Sequence, residues 1–469
     1  MHGILLGITK KLLSFWLDNK HSSEMYYIGK RVNEVDNKLM QITPPHSISR
    51  LPRKLSTTMK HWKASELRAW LLFYSLPCLK DILPDIYLKH YSLLVEAVFI
   101  LLTEGISHED LHRADQILHM FLKTAPALYH DNIMGLNMHN LLHLTTCVRN
   151  WGPLWAWSCF SFESFNGQIK KTVHGTGNVC LQIFWALMAQ KYVEQSFSEI
   201  NDTKTLEFVQ TLSNKTQHDE TKQCIVRKKY TFSKGMSFPE QIRNQLESLA
   251  GTSDISKYMK VKKCVVNGKT IYSKSCMKVK SRNSYTVLVS DTSNSARYIE
   301  IQYFIIETST GKVYAIGKEL AITSHVLQAN APHLKVVEVT REEKVEKATN
   351  IQSILVSFTV NDHHIISDIP NSVEAGSVSM VTAGSVSMIT AGSVLIITAG
   401  SVSMVTAGSV SMITAGSVLI ITAGSVSMVT AGSVLIVKAG SASMVTAGFV
   451  AEAEEKYWSV NLWDFWFNI

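Results

Sequence analysis

Cys264-Val-Val-Asn267-Gly268-Lys-Thr-Ile-Tyr272 is a β-hairpin spelled out in nine residues. Two apolar runs flank an Asn-Gly pair, and the central positions of a tight hairpin turn need the positive φ that Asn and Gly supply most readily. Around it, residues 256–371 read as strands: Tyr285 to Val289, Tyr298 to Thr308, Lys312 to Ile316 and Ile351 to Val360, parted by Asp291-Thr-Ser-Asn and Ser309-Thr-Gly311. Five or more short antiparallel strands predict a small barrel or sandwich.

Upstream, the apolar period changes. Ile28, Val32, Val35 and Leu39 fall on one helical face, and Pro44-Pro45 ends it. A second helix is expected from about Lys63 to Ser75, stopping near Pro77. Pro84 suits the first turn of a third, with Gly105 as its C-cap. Ser107-His-Glu-Asp110 has capping-box spacing, and Leu111, Ala114, Leu118, Phe121 and Ala125 trace a stripe behind it that Pro126 closes. Asn137 to Val148 and Asn178 to Ser198 are further helical stretches. The fold class is therefore α+β: a mainly helical region over 1–200, a polar linker over 201–255 with one or two short helices, and the β module over 256–371.

Downstream lies a repeat. Ala-Gly-Ser recurs every eight residues from Ala375 to Ala431 and decays at Ala439 and Ala447. Val, Ile and Thr with one Gly per octad oppose helix and favour extended chain. Three eight-residue sides per coil can stack as a solenoid, but a translated tandem DNA repeat with no selected fold is the preferred reading. This tail spans 372–450, and an aromatic C-terminus, 451–469, follows.

The chain has 469 residues, 46% hydrophobic and 18% charged, which excludes a charged disordered polymer. Its seven cysteines form no CxxC pair, which points to reduced thiols, a nuclear or cytoplasmic location and no zinc cage. The net charge is +8, and the tail holds two lysines and four acids, so the first 374 residues carry +10. A basic body favours polyanions such as DNA, or serves solubility alone. No secretory signal is visible at Met1–Lys20. The most apolar run, Leu93 to Leu102, contains Glu96 and is too short to span a bilayer. No residue from Ala375 to Val437 is charged, yet recurrent Gly, Ser and Thr argue against a membrane helix there.

Two clusters invite chemistry. His139 and His143 stand at i and i+4, a spacing that can bind zinc; Asn140 replaces the glutamate of the zincin pattern, so a packing or hydrogen-bonding pair is the preferred reading. Arg227-Lys228-Lys229-Tyr230, then Lys260, Lys262, Lys263, Lys280 and Arg282, interleave cations with Tyr258, Tyr272 and Tyr285, a pattern suited to phosphate contact plus base stacking, or to a solvated basic face.

Four ordered motifs carry a resemblance: Met1-His2-Gly3-Ile-Leu-Leu-Gly, Trp62-Lys-Ala-Ser-Glu66-Leu-Arg-Ala-Trp, Asn137-Met-His139-Asn-Leu-Leu-His143, and Trp151-Gly-Pro-Leu-Trp-Ala-Trp-Ser-Cys-Phe-Ser-Phe162-Glu163-Ser-Phe-Asn166-Gly167. Over residues 1–200 the chain resembles the carboxy-terminal half of CACTA (En/Spm-like) transposases, in their animal transposase-domain form. The likeness continues more weakly to Ile369-Pro370-Asn371 and does not reach the tail.

The resemblance implies an RNase H-type core in which three acids hold two Mg2+ or Mn2+ ions for attack on DNA phosphodiesters. His2 matches the histidine of an Asp-x-x-His motif, Glu163 matches the closing-helix glutamate, and residues 20–150 match the helical insertion. The two upstream aspartates and the residue opening the histidine motif have no counterpart, and Ser161 replaces a usual proline. One carboxylate cannot cage two hard cations, so His2 and Glu163 are expected to be vestigial and no cofactor is expected for this fragment. Without the core sheet, Trp151, Trp155, Trp157 and Phe160 are expected to be partly exposed. The expectation is a fragment inactive alone that binds DNA, a full-length transposase or a second copy. The alternatives are a host-adopted nucleic-acid-binding or scaffold protein acting through the β module, and a membrane-associated protein acting through the tail.

Overall fold

The computed structural model describes residues 1–198, 202, 205, 224–226, 229–232, 236–266, 269–276, 281–290, 296–327 and 331–370, and repeat strands between 377 and 460. The α+β class stands: helices fill the N-terminal region and an antiparallel sheet follows.

The helical region opens with a π turn, Gly3–Thr9, running into the helix Lys10–Leu17. The helix Val32–Met40 follows, with Val35 and Leu39 fully buried. The expected stop near Pro77 is passed. The segment Ala64–Ala69 widens into a π turn, Trp70–Tyr74, before Ser75–Leu79 resumes α geometry through Pro77. The wider turn accommodates a ring that would clash with the carbonyl four residues back. The helix Asp85–Leu102 starts behind Pro84, which sits at the N-cap.

Ser107 caps His108–Tyr129 as its spacing requires, its hydroxyl accepting from the Asp110 amide. This helix continues one turn past Pro126. Tyr129 is the reason. It is 1% exposed, accepts a hydrogen bond from Trp16 Nε1 and packs among the rings of Phe15, Tyr26 and Tyr87. Burying that ring outweighs the one helical hydrogen bond a proline removes.

The β module is a closed antiparallel barrel. Its strands include Thr286–Ser290, Ala296–Glu307, Val313–Val326, Lys335–Lys347 and His363–Ser367, paired in the order first, second, third, fourth, fifth. The stretch 351–360 closes it: Ile351–Ile354 pairs with Thr286–Ser290, and Val356–Val360 pairs with His363–Ser367 at the other end. Leu355, fully buried, is the corner. The opening hairpin forms as read, Val266 facing Lys269 across a two-residue turn at 267–268 that lies outside the described residues.

Part of the expected linker belongs to this module. In the helix Glu240–Ala250, Ile242 and Leu246 recur at i and i+4 and pack with Phe238 against Tyr258, Ile305, Tyr314 and Val345. The module in turn shares a core with the helices. Leu334, Val356 and Phe358 join the same apolar cluster as Leu72, Leu94 and Phe121. His333 stacks on Phe99 at 3.9 Å and its Nε2 meets the Leu72 carbonyl at 3.0 Å.

The repeat strands are parallel and in register at a sixteen-residue offset, Ser409 facing Ser425 and Val418 facing Val434. Each coil thus takes two octads rather than three. The aromatic end at 461–469 lies outside the described residues.

Candidate functional site

His2 and Glu163, 161 residues apart in sequence, meet. His2 Nε2 lies 3.2 Å from both Glu163 carboxylate oxygens, and its ring packs on Phe160 at 4.2 Å. Glu163 stands in the first turn of the helix Phe160–Lys171, where the macrodipole favours an acid. His2 is held by the packing of the N-terminal turn. Gly3 and Gly7 face Asn137, and a Cβ built on Gly7 would fall 2.4 Å from Asn137 Nδ2. The Asn137 side chain lies across the bare backbone of these glycines.

Helix propensity alone gives Gly7→Ala about 1 kcal/mol of stabilisation. The atoms in the way belong to the exposed Asn137 side chain, which can swing aside at small cost, so propensity decides the sign. A higher Tm is the expected result, measured by thermal melts beside wild type.

The pair is open to solvent, the side chains being 40% and 62% exposed, so its contribution to stability is at most about 1 kcal/mol. As a metal site it does not fit the implied ions. Paired Mg2+ or Mn2+ needs several oxygen ligands, and this donor set is one carboxylate and one imidazole. Among the described residues no group of three or more His, Cys, Asp or Glu could hold a metal. Of the aromatics beside it, Trp151 is 45% exposed, while Trp155, Trp157 and Phe160 are partly buried against the helical core.

The cationic cluster splits into three groups. Lys229 and Lys260 lie on the paired strands Lys229–Tyr230 and Tyr258–Val261, Lys262 follows directly, and Lys263 opens the strand Lys263–Val266, which pairs with Lys269–Tyr272 in a separate small sheet. Lys260 Nζ stands 4.6 Å from the Tyr303 ring centre and Lys262 Nζ 4.8 Å from that of Tyr230. Lys263 Nζ stands 5.7 Å from that of Tyr272. Each contact is worth about 0.5–1 kcal/mol at an exposed site and leaves N–H groups for an anion.

Arg282 has another task. Its guanidinium donates to the carbonyls of Pro45, Ile48 and Ser49, pinning the 44–49 loop to the barrel, so it is removed from the phosphate surface. Arg227, Lys228 and Lys280 lie outside the described residues.

The expected stacking tyrosines are engaged elsewhere. Tyr258 is 3% exposed inside the core, where burial raises its hydroxyl to about 12. Tyr272 stacks on His46 at 4.7 Å, and Tyr285 is half-buried. The rings beside the lysines are Tyr272, which also carries His46, and two that the pattern did not single out, Tyr230 and Tyr303.

A polar cleft of about 660 Å3 escaped sequence reading. It lies between Gln41 and Thr43 of the helical region and Lys274, Tyr285, Glu300 and His364 of the barrel. Lys274 pairs with the buried Glu300 at 2.7 Å, and His364 contacts the Ser357 hydroxyl at 2.8 Å. Burial lowers the His364 pKa, with Glu300 opposing and Lys274 reinforcing. Its residues come from separate segments, and no local motif marks them.

Compared with models of known families and with curated proteins, the chain matches none. Among the described residues no helix is long and apolar enough to cross a membrane.

Proposed function

We propose that this chain is a transposase-derived nucleic-acid-binding protein that does not cut DNA by itself, and that its barrel lysines hold DNA phosphates. The observation carrying the reading is the set of lysines over tyrosine rings at Lys260, Lys262 and Lys263, with Lys229 on the strand paired to that of Lys260. Ammonium groups spaced along adjoining strands suit a polyanion, and binding of this kind is sequence-tolerant and driven by counterion release. The meeting of His2 with Glu163 supports the CACTA-type ancestry, because the resemblance matched these two residues independently. Their donor set supports loss of cutting.

The test is fluorescence anisotropy of the full chain with duplex DNA across a salt series. The Lys260→Glu, Lys262→Glu, Lys263→Glu triple variant is expected to weaken binding and to flatten the log–log salt slope by about 2–3. Unchanged affinity and slope remove the proposal. Incubation of transposon-end DNA with Mg2+ or Mn2+ is expected to leave it intact. Strand cleavage that Glu163→Ala abolishes would overturn the non-cutting half.

A further inference from the structure

We infer that His139 and His143 form a surface anchor for a divalent transition ion of borderline softness, with Zn2+ as the reference ion. The sequence offers only the i, i+4 spacing, for which a hydrogen-bonded pair suffices. The structure adds the decisive separation. The two Nε2 atoms lie 3.3 Å apart, the rings steeply inclined at 75° with centroids 5.1 Å apart. Two imidazole nitrogens bound tetrahedrally at roughly 2.0–2.1 Å are separated by roughly 3.3–3.4 Å, the edge of that tetrahedron. Without an ion, this separation accommodates one N–H···N hydrogen bond. An ion replaces the shared proton with little movement of either ring.

The scaffold beneath is rigid. The helix Leu136–His139 passes into the 3-10 turn Asn140–His143 and the helix Leu144–Trp151. Met138 and Leu141, interleaved with the histidines, are each 1% exposed and anchor the opposite face in the core. Both histidines remain exposed. The backbone that aims them is therefore fixed by packing while the ligands face solvent, which lowers the ordering cost of binding.

Among the described residues no third His, Cys, Asp or Glu completes the set. Two coordination positions are left to water or to an external ligand. Imidazole donors suit Zn2+, Cu2+ or Ni2+ and discriminate against Mg2+, so this site is independent of the transposase-derived reading.

The test is competition for Zn2+ between the full chain and a chromophoric chelator, with Mg2+ as control. The chain has 17 histidines, so the His139→Ala/His143→Ala double variant defines the background. Each single alanine variant is expected to lose roughly tenfold or more in Zn2+ affinity, because one remaining imidazole is a poor site. Zn2+ is also expected to slow amide hydrogen exchange across residues 139–148 in wild type only. Superimposed wild-type and double-variant titrations overturn the site, and so does a loss confined to one of the two histidines.

Discussion

Arg113→Ala is expected to lower the unfolding free energy by about 3 kcal/mol, the low end of the range for breaking a buried ion pair. Glu96 sits in the apolar run 93–102, where a membrane span would have no use for it. In the fold its side chain is 2% exposed, and Arg113 reaches it through Nε at 2.8 Å and an Nη at 2.6 Å, both on Oε1. Its other oxygen has no partner among the described contacts. Removing Arg113 leaves a carboxylate inside the helical core with its principal partner gone. Because Arg113 is itself 55% exposed, water can reach part of the gap, which sets the estimate low in the range. Glu96→Gln in the Arg113→Ala background is the decisive control. Neutralising the stranded charge should recover most of the loss, and chemical denaturation of the four proteins of the cycle measures it. A double variant no more stable than Arg113→Ala alone would show that the loss came from packing of the arginine stem.

Local features were legible and distant ones were not. Ser107 announces its helix because the cap and the amide that donates to it lie three residues apart. The Asn267-Gly268 hairpin is readable for the same reason. The strand Lys335–Lys347 was missed because its middle reads Glu338-Val-Thr-Arg-Glu-Glu-Lys344, a solvated pattern. Lys344 pairs along the strand with Glu342 at 2.8 Å and across the sheet with Glu319 at 3.6 Å, and Glu346 just beyond reaches Arg297 on another strand at 2.6 Å. The strand His363–Ser367 did carry a signal: Asn361 and Asp362 both take positive φ, 50° and 62°, the turn that an Asn-Asp pair favours between apolar runs. The helix Glu240–Ala250 was visible as a helix but not as a wall of the barrel.

The candidate site divides the same way. That His2 and Glu163 meet is a tertiary fact which periodicity cannot supply, and only the resemblance linked them in advance. Arg282 was misread because a cation in a basic run looks the same whether it faces water or carbonyls. Its acceptors at Pro45, Ile48 and Ser49 lie more than 230 residues upstream. Lys260, Lys262 and Lys263 were readable as a cluster, since neighbouring strands keep them together. Of their tyrosine partners, Tyr272 was named and Tyr303 was not, because it comes from another strand.

Acid should loosen the joint between helices and barrel before it reaches the carboxylates. His333 and His90 are both buried, and burial lowers each pKa to about 4 against an ordinary 6.5. Lys335 further disfavours a charge on His333, and the hydrogen bonds to the Leu72 and Phe121 carbonyls oppose the shift without cancelling it. Above pH 6.5 neither folded nor unfolded chain protonates these rings, and their contribution is flat. As pH falls through 6.5 the unfolded chain binds protons that the native state refuses, so stability drops until the native rings titrate near 4. Each histidine then removes about 3 kcal/mol in total. His46 and His364, lowered by burial as well, act in the same direction. The acids whose pKa is lowered, such as Glu307 with its Thr310 hydrogen bond, lose their stabilisation only at lower pH, as they protonate. Urea midpoints measured from pH 7 to 4.5 are therefore expected to fall steeply. His333→Gln should flatten that fall by about the share of one histidine, roughly 1.4 kcal/mol per pH unit within the window. A slope identical to wild type would mean that His333 protonates freely in the folded protein and that the joint gives no acid sensitivity.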